Sequence, residues 1–174
     1  MQERDYIDFQ DRAHPLAYLI TFRTYGTWLH GEARGSVDRK NYNCYGMPVM
    51  PTNEKILIDE RNELKTRPVL LNARQRAVVE SSIKRTSQIK KYELHAVNVR
   101  TNHVHAVVSC SAQPEAIMNS FKSHATRALR RCDLLDLNVR PWARHGSTRY
   151  LWTEEHLRKA IDYVMFGQGD EPFR

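Results

Sequence analysis

The chain of 174 residues is 41% hydrophobic, a size and composition that suit one domain with a substantial core. Lys and Arg number 27 against 20 Asp and Glu, so the formal net charge is +7. No apolar run approaches the roughly 20 residues that cross a bilayer, and the N-terminal residues lack the apolar segment of a signal peptide. Three widely spaced cysteines without a CxxC pair argue against a disulfide framework and a structural zinc site. We expect a soluble, cytoplasmic protein with a single domain over residues 1–174 and no membrane partner.

The positive charge is concentrated in the middle third of the chain. Residues 72–131 carry 11 Lys and Arg but only 3 Asp and Glu, whereas residues 1–71 are balanced and residues 132–174 are slightly acidic. Such a local excess predicts an anionic partner, for which a phosphate backbone is the leading candidate. A solvated helix face is the alternative explanation.

The N-terminal part of the sequence predicts one strand between two segments without a regular pattern. Residues 1–15 are polar and predict an arm. The β-branched and aromatic run from Ala17 to Arg23 predicts a strand. Residues 25–70 are rich in Gly, Pro, Asn and Asp and are long for a plain loop. They predict a functional insertion or a small subdomain.

Three helices are predicted in the remainder of the chain. Apolar residues at helical spacing, preceded by Asn72 as N-cap, predict a helix over residues 72–91. Residues 114–131 predict a second helix, because they begin with a proline that suits the first helical position. Thr153 and the two acidic residues after it predict the start of a final helix, which ends near Gly167.

Three further strands complete the predicted fold. Residues 94–100 and 103–110 alternate between apolar and polar, and Thr101-Asn102 between them suits a two-residue hairpin turn. Residues 149–152 predict the last strand. This order of elements predicts an α+β, ferredoxin-like fold (βαββαβ), an antiparallel sheet with helices on one face and an additional C-terminal helix. We expect the other face of the sheet to stay open for a partner or an added element.

His103 and His105 lie two positions apart on a predicted strand. Because side chains on a strand alternate, both imidazoles point to one face, opposite to Val104 and Ala106. Two adjacent imidazoles can share one divalent ion if a third ligand arrives from elsewhere. A chance pair of half-exposed histidines is the alternative, since an HxH motif alone is a weak signal.

Tyr163 lies on the flank of the final predicted helix, about 110° from the centre of its apolar stripe. In that position its hydroxyl can stay accessible to a substrate. The common alternative is a tyrosine that packs at the edge of the core and exposes only its hydroxyl to solvent. A deprotonated phenol can attack a phosphodiester whose phosphate is polarised by a metal. The sequence therefore predicts that Tyr163 is a nucleophile assisted by a metal at His103 and His105, beside a basic segment.

Several stretches of the sequence resemble the HUH family of single-tyrosine transposases, and among these the REP-associated tyrosine transposases. Residues 101–108, Thr-Asn-His-Val-His-Ala-Val-Val, resemble the HUH motif, and residues 160–164, Ala-Ile-Asp-Tyr-Val, resemble the tyrosine helix. Residues 18–29 and 144–147 also resemble stretches of that group. The resemblance covers most of residues 17–169.

The resemblance implies that His103 and His105 hold Mg²⁺ or Mn²⁺ and that Tyr163 attacks single-stranded DNA. The implied products are a 5′-phosphotyrosine link and a free 3′-OH, followed by strand transfer or religation. Relatives have a third metal ligand, Gln or Asn, four residues after the tyrosine, where this chain has Gly167. We expect a left-handed turn at Gly167 to re-aim Gln168, which we nominate as the third ligand.

The resemblance also implies a substrate, single-stranded DNA with a hairpin next to the cleavage site, and a monomer or a homodimer. Four cations are predicted to contact phosphates, with ordinary surface charge as the alternative for each: Lys122, Arg127, Arg144 and Arg149.

The sequence thus predicts a transposase-type, metal-dependent single-stranded DNA endonuclease and strand transferase. Its first rival is a non-catalytic single-stranded nucleic-acid-binding protein on the same fold, which a broken metal site at Gly167 and Gln168 would favour. The other rivals are an RNA-binding module that uses no metal and a small metal hydrolase in which Tyr163 is only structural.

Overall fold

A computed structural model describes residues 14–27 and 53–167, and these ranges contain four strands and four helices. In chain order the elements are β1 (Ala17–Thr24), α1 (Glu54–Asn62), α2 (Ala73–Lys90), β2 (Glu93–Val99), β3 (His103–Ser109), α3 (Pro114–Arg131), β4 (Trp142–Leu151) and α4 (Glu154–Phe166). Nearly all of the predicted arm over residues 1–15 and the larger part of the predicted insertion over 25–70 lie outside the described residues. No helix in the described part of the chain has the length and apolar character needed to cross a membrane.

The four strands form one sheet in the order β2-β3-β1-β4, and each neighbouring pair is antiparallel. Strands β1 to β4 and helices α2 and α3 follow each other as β-α-β-β-α-β, which confirms the predicted α+β fold class. Helix α1, which the sequence did not predict, lies in the described part of the insertion. Its N-cap is Asn53, whose side chain accepts hydrogen bonds from two backbone amides. Helix α4 is the predicted additional C-terminal helix.

The helix boundaries follow their predicted capping residues. Asn72 and Gln75 form a reciprocal capping box at the start of α2. Helix α3 begins with a proline, as predicted. At the start of α4 the Thr153 hydroxyl accepts a hydrogen bond from the His156 amide at 3.1 Å. Strand β4 is longer than predicted, because residues 142–148 include Gly, His and Arg and carry no sustained apolar alternation.

The two faces of the sheet bury two separate apolar clusters. The larger cluster joins one face to α2 and α3, and it includes Ile20, Phe22, Val104, Ala106, Val79, Ile83, Ile117 and Phe121. The smaller cluster joins the opposite face to α4, and it includes Ala17, Ala96, Val107, Leu151, Ala160 and Val164. The face that was expected to stay open is thus partly covered by the chain's own last helix.

Candidate active site

His103 and His105 lie side by side on β3, on the face of the sheet that carries α4. Val104 and Ala106 alternate with them and are fully buried on the opposite face, which confirms the predicted orientation of this strand. The two imidazole rings are 4.7 Å apart between centroids and nearly perpendicular, at 76°. His105 is 7% exposed, and His103 is half-buried.

A hydrogen bond at Nδ1 orients each imidazole of the pair. The His103 Nδ1 is 2.7 Å from the Asn102 Oδ1, and the His105 Nδ1 is 2.7 Å from the Thr21 Oγ1 on β1. An amide oxygen only accepts, so in the neutral His103 ring that makes this hydrogen bond Nδ1 carries the proton and Nε2 is the nitrogen that can ligate. The Thr21 hydroxyl can accept from His105 in the same way. Imidazoles that ligate metals through Nε2 are oriented by such Nδ1 partners.

Tyr163 stands on α4 beside the histidine pair. Its ring centroid is 5.5 Å from that of His105, and the two rings meet edge to face at 73°. The tyrosine is 45% exposed, which fits the predicted position on the flank of the helix. Ala160 and Val164 bury the apolar stripe of α4 against the sheet and so set the distance between Tyr163 and β3.

Asn98 links the end of α4 to β2, the neighbour of the histidine strand, a role that the sequence analysis missed. It lies on β2 directly across from His105, and its Nδ2 donates to the Val164 carbonyl oxygen at 2.9 Å. The carbonyls in the last turn of a helix have no partner within the helix. Asn98 satisfies one of them, on the residue after Tyr163. The available signal was a polar amide between the apolar residues Val97 and Val99 in the second half of β2.

The expected left-handed turn at Gly167 is wrong. Gly167 has φ −84° and ψ 8°, and its amide donates to the Tyr163 carbonyl at 2.9 Å, so the helix ends in an ordinary right-handed turn. A Cβ at this position would lie 3.0 Å from both the Cα and the Cδ2 of Tyr163. Glycine therefore lets the tyrosine ring lie close over the end of α4. Gln168, the nominated third ligand, lies outside the described residues.

The donor set of the described residues fits a divalent ion held by two imidazoles. His103 and His105 present adjacent rings whose Nδ1 atoms carry hydrogen bonds, so Nε2 is the ring nitrogen that would ligate an ion. Within the described ranges, no group of three or more His, Cys, Asp or Glu side chains could hold a metal. A third protein ligand would therefore be an amide or hydroxyl oxygen, or would come from outside those ranges.

The predicted phosphate contacts are spread over both sides of the sheet. Arg149 is exposed on β4 and pairs with Leu19, which places it on the face of the histidine pair. Arg144 is exposed near the start of β4. Arg127 is exposed on α3, on the opposite side of the sheet, where its guanidinium bonds to Ser123.

Lys122 has a different environment from the one predicted for a DNA contact. It is 8% exposed, and its ammonium donates to the Ala143 and His145 carbonyls at 2.9 and 3.0 Å. These residues belong to an irregular part of β4, where the pairing with β1 shifts register. Because its ammonium is committed to these carbonyls, Lys122 is not among the DNA contacts proposed below.

Gly146 allows β4 to pass closely beneath α3 at this irregularity. A Cβ there would lie 2.5 Å from the Thr21 carbonyl oxygen and would overlap the Met118 sulfur. Thr21 is the residue that bonds to His105. The absence of a side chain at Gly146 therefore lets the Thr21 backbone keep its position, and with it the hydrogen bond to His105.

Comparison with known proteins relates this chain to transposases. The sequence profile of the family described as "Transposase IS200 like" matches residues 63–158, more than half of the chain. A solved structure of a REP-associated tyrosine transposase bound to a REP hairpin is similar, with a TM-score of 0.51 and 11% identity over 90% of this chain and 70% of that chain. A candidate transposase from Deinococcus radiodurans R1 has a TM-score of 0.45 and 13% identity, over 90% of this chain and 93% of that chain. No curated protein matches the sequence.

Proposed function

Because the chain belongs to the family of IS200-like transposases, we propose that it is a metal-dependent single-stranded DNA endonuclease and strand transferase. Tyr163 is the proposed nucleophile, and His103 and His105 are the proposed metal ligands. The observation that carries this proposal is the contact between the Tyr163 and His105 rings, at 5.5 Å between centroids. It joins a half-exposed phenol to an oriented imidazole pair on the same face of the sheet.

In the proposed reaction the Tyr163 oxygen attacks the scissile phosphorus of a single DNA strand. The bond from phosphorus to the tyrosine oxygen forms as the bond from phosphorus to the 3′-oxygen breaks. The phenolic proton leaves to solvent, and the 3′-oxygen gains a proton. The products are a 5′-phosphotyrosine link and a free 3′-OH. Attack of a 3′-OH on this link reverses the chemistry and transfers or rejoins the strand.

The surrounding residues would prepare the site for this step. A Mg²⁺ or Mn²⁺ ion bound by His103 and His105 would withdraw charge from the phosphate oxygens. Asn102 and Thr21 can each accept a hydrogen bond from Nδ1 of one imidazole, which would orient Nε2 for ligation. Asn98 holds the last turn of α4, so that the tyrosine stays over the histidine pair.

DNA with a hairpin beside the cleavage site is the proposed substrate. The structurally similar REP-associated tyrosine transposase is bound to a REP hairpin, and the basic segment of this chain favours a phosphate backbone. Arg149 and Arg144, both exposed on β4, are proposed contacts to the single strand, and Arg127 is a proposed contact elsewhere on the DNA. Gln168, which follows the end of α4, is still proposed as the third metal ligand, now without the left-handed turn at Gly167 that was expected to re-aim it.

Tyr163 lies against the His105 of its own chain. We propose a monomer in which the tyrosine acts in cis, with a homodimer that exchanges α4 as the alternative. In that homodimer the Asn98 hydrogen bond and the packing of Ala160 and Val164 would form between the two chains.

A covalent-adduct assay tests the proposed function. The protein is incubated with Mn²⁺ and a pool of hairpin oligonucleotides that have randomised single-stranded flanks and a fluorescent 3′ end. The label is placed at the 3′ end because a 5′-phosphotyrosine link retains the 3′ fragment. We expect a fluorescent protein band on a denaturing gel that disappears with EDTA and in Tyr163→Phe.

Tyr150→Phe is the matched control, because Tyr150 is 42% exposed, close to the exposure of Tyr163. This variant is expected to keep the adduct. Normal cleavage by Tyr163→Phe would contradict the proposed mechanism. Cut DNA without an adduct would indicate a metal hydrolase, and a shifted band on a native gel without cleavage would indicate a nucleic-acid-binding protein.

A further inference from the structure

A groove between α2 and α3 runs along the side of the domain that faces away from the histidine pair. It encloses about 350 Å³. Its polar lining consists of Arg74, Ser81, Ser82 and Arg85 on α2, with Arg131 and Cys132 at the end of α3. Both helices pack their apolar faces on the sheet surface opposite to α4. The groove is therefore separated from the candidate active site by the sheet.

The groove gathers positive charge without a matching negative charge. Arg74, Arg85 and Arg131 are all exposed, and no acidic residue lines the groove. Nearby Glu80 forms an ion pair with Lys84. Among the residues that the structure describes, no hydrogen bond or ion pair engages any of the three guanidinium groups. Like charges that converge in this way favour an anionic partner.

The spacing and chemistry of the groove fit the backbone of duplex DNA. Arg74 and Arg85 are eleven residues apart on one helix, a span of about 16 Å at 1.5 Å per residue. A DNA strand presents one phosphate for each rise of about 3.4 Å, so this span covers several phosphates. Guanidinium and hydroxyl groups are common phosphate contacts. No aromatic side chain lines the groove, whereas sites for single strands stack bases on aromatic rings.

We infer that the groove between α2 and α3 binds the phosphate backbone of a DNA duplex, through Arg74, Arg85 and Arg131. This inference rests on the proposed function in one respect only, namely that the substrate is DNA with a double-stranded stem. The groove contacts the stem of the hairpin by its backbone and without reading its sequence. The single strand passes to the histidine pair on the other face of the sheet.

Salt-dependent binding tests the inference separately from catalysis. Fluorescence anisotropy measures the affinity of Tyr163→Phe protein for a short blunt DNA duplex in EDTA, across a range of salt concentrations. Replacing Arg74, Arg85 and Arg131 together by Gln should lower the slope of log K against log salt by about 2 to 3, since each phosphate contact contributes about 0.9. The matched control replaces three exposed cations elsewhere, Arg61, Lys65 and Arg67, by Gln. The control should change the slope by less than about 1.

Cys132 reports where the duplex binds. It is exposed and lines the groove, so bound duplex should slow its alkylation by N-ethylmaleimide, as measured by mass spectrometry. The inference is overturned if the two triple variants change the slope equally, if duplex leaves Cys132 alkylation unchanged, or if a single-stranded oligothymidine binds the groove as well as duplex does. Loss of the tyrosine adduct with normal duplex binding would refute only the proposed function.

Discussion

Replacing Thr21 by valine removes the hydrogen bond that orients His105 and leaves the shape of the side chain almost unchanged. The Thr21 Oγ1 is 2.7 Å from the His105 Nδ1, and His105 is 7% exposed. Without the hydroxyl, the His105 Nδ1 loses its hydrogen bond to Thr21, and the loss of one partner of a buried hydrogen bond costs about 1–3 kcal/mol of stability. Outer-shell partners of metal-bound histidines typically contribute 10–100-fold to affinity, about 1.4–2.7 kcal/mol. We therefore expect Thr21→Val to weaken Mn²⁺ binding by about 10–100-fold.

The free Mn²⁺ signal in electron paramagnetic resonance, titrated on DNA-free protein, measures this affinity. Thr21→Ser keeps the hydroxyl and should bind Mn²⁺ within about threefold of the unmodified protein, a difference of about 0.7 kcal/mol. His105→Ala should abolish binding. Equal affinity in Thr21→Val and Thr21→Ser would refute the orienting role of Thr21. Binding that survives His105→Ala would refute the metal site itself.

Three further substitutions test other parts of the structure. Lys122→Met should lower the free energy of unfolding in urea by about 2–4 kcal/mol, because two carbonyls of β4 lose a charged donor. The control is Lys84→Met at an exposed lysine, which should change this free energy by no more than about 0.5 kcal/mol. Gly146→Ala should lower the same free energy by about 1–3 kcal/mol, since its Cβ would overlap α3 and β1. Asn98→Ala removes a hydrogen bond of about 1 kcal/mol and should increase amide exchange in the last turn of α4 and slow adduct formation about fivefold.

Each of these three predictions has its own contradicting outcome. A Lys122→Met protein as stable as Lys84→Met would show that the ammonium does not hold β4. An unchanged urea midpoint for Gly146→Ala would mean that α3 and β1 move apart at little cost. Unchanged exchange in α4 would show that Asn98 does not hold the tyrosine helix.

Local patterns in the sequence predicted the elements that carry the candidate site. The alternation over 103–110 was sufficient to place His103 and His105 on one face, because strand geometry fixes that relation within a few residues. Asn72 and Thr153 predicted where two helices begin for the same reason, since a capping side chain acts within one turn. Tyr163 was correctly placed on the flank of its helix from periodicity alone.

Hydrogen-bond partners that are distant in the sequence could not be predicted from local patterns. Thr21 meets His105 across 84 positions, and Asn98 meets Val164 across 66. Lys122 looked like a surface cation because its neighbours in α3 do not bury it. Its burial comes from β4, which the sequence analysis recognised only over residues 149–152. The expected left-handed turn at Gly167 failed because glycine permits that conformation without requiring it.

The sequence by itself determined the order of the four strands and of α2, α3 and α4, the shared face of the two histidines, the accessible tyrosine and the basic segment that suits DNA. Each of these depends on spacing within one element or on composition. Only the tertiary structure decided that α4 lies over the histidine face and that three arginines share one groove. It also decided that Thr21 bonds to His105 and that Asn98 bonds to the last turn of α4. Those contacts depend on strand order and helix packing, which bring together residues that no local pattern relates.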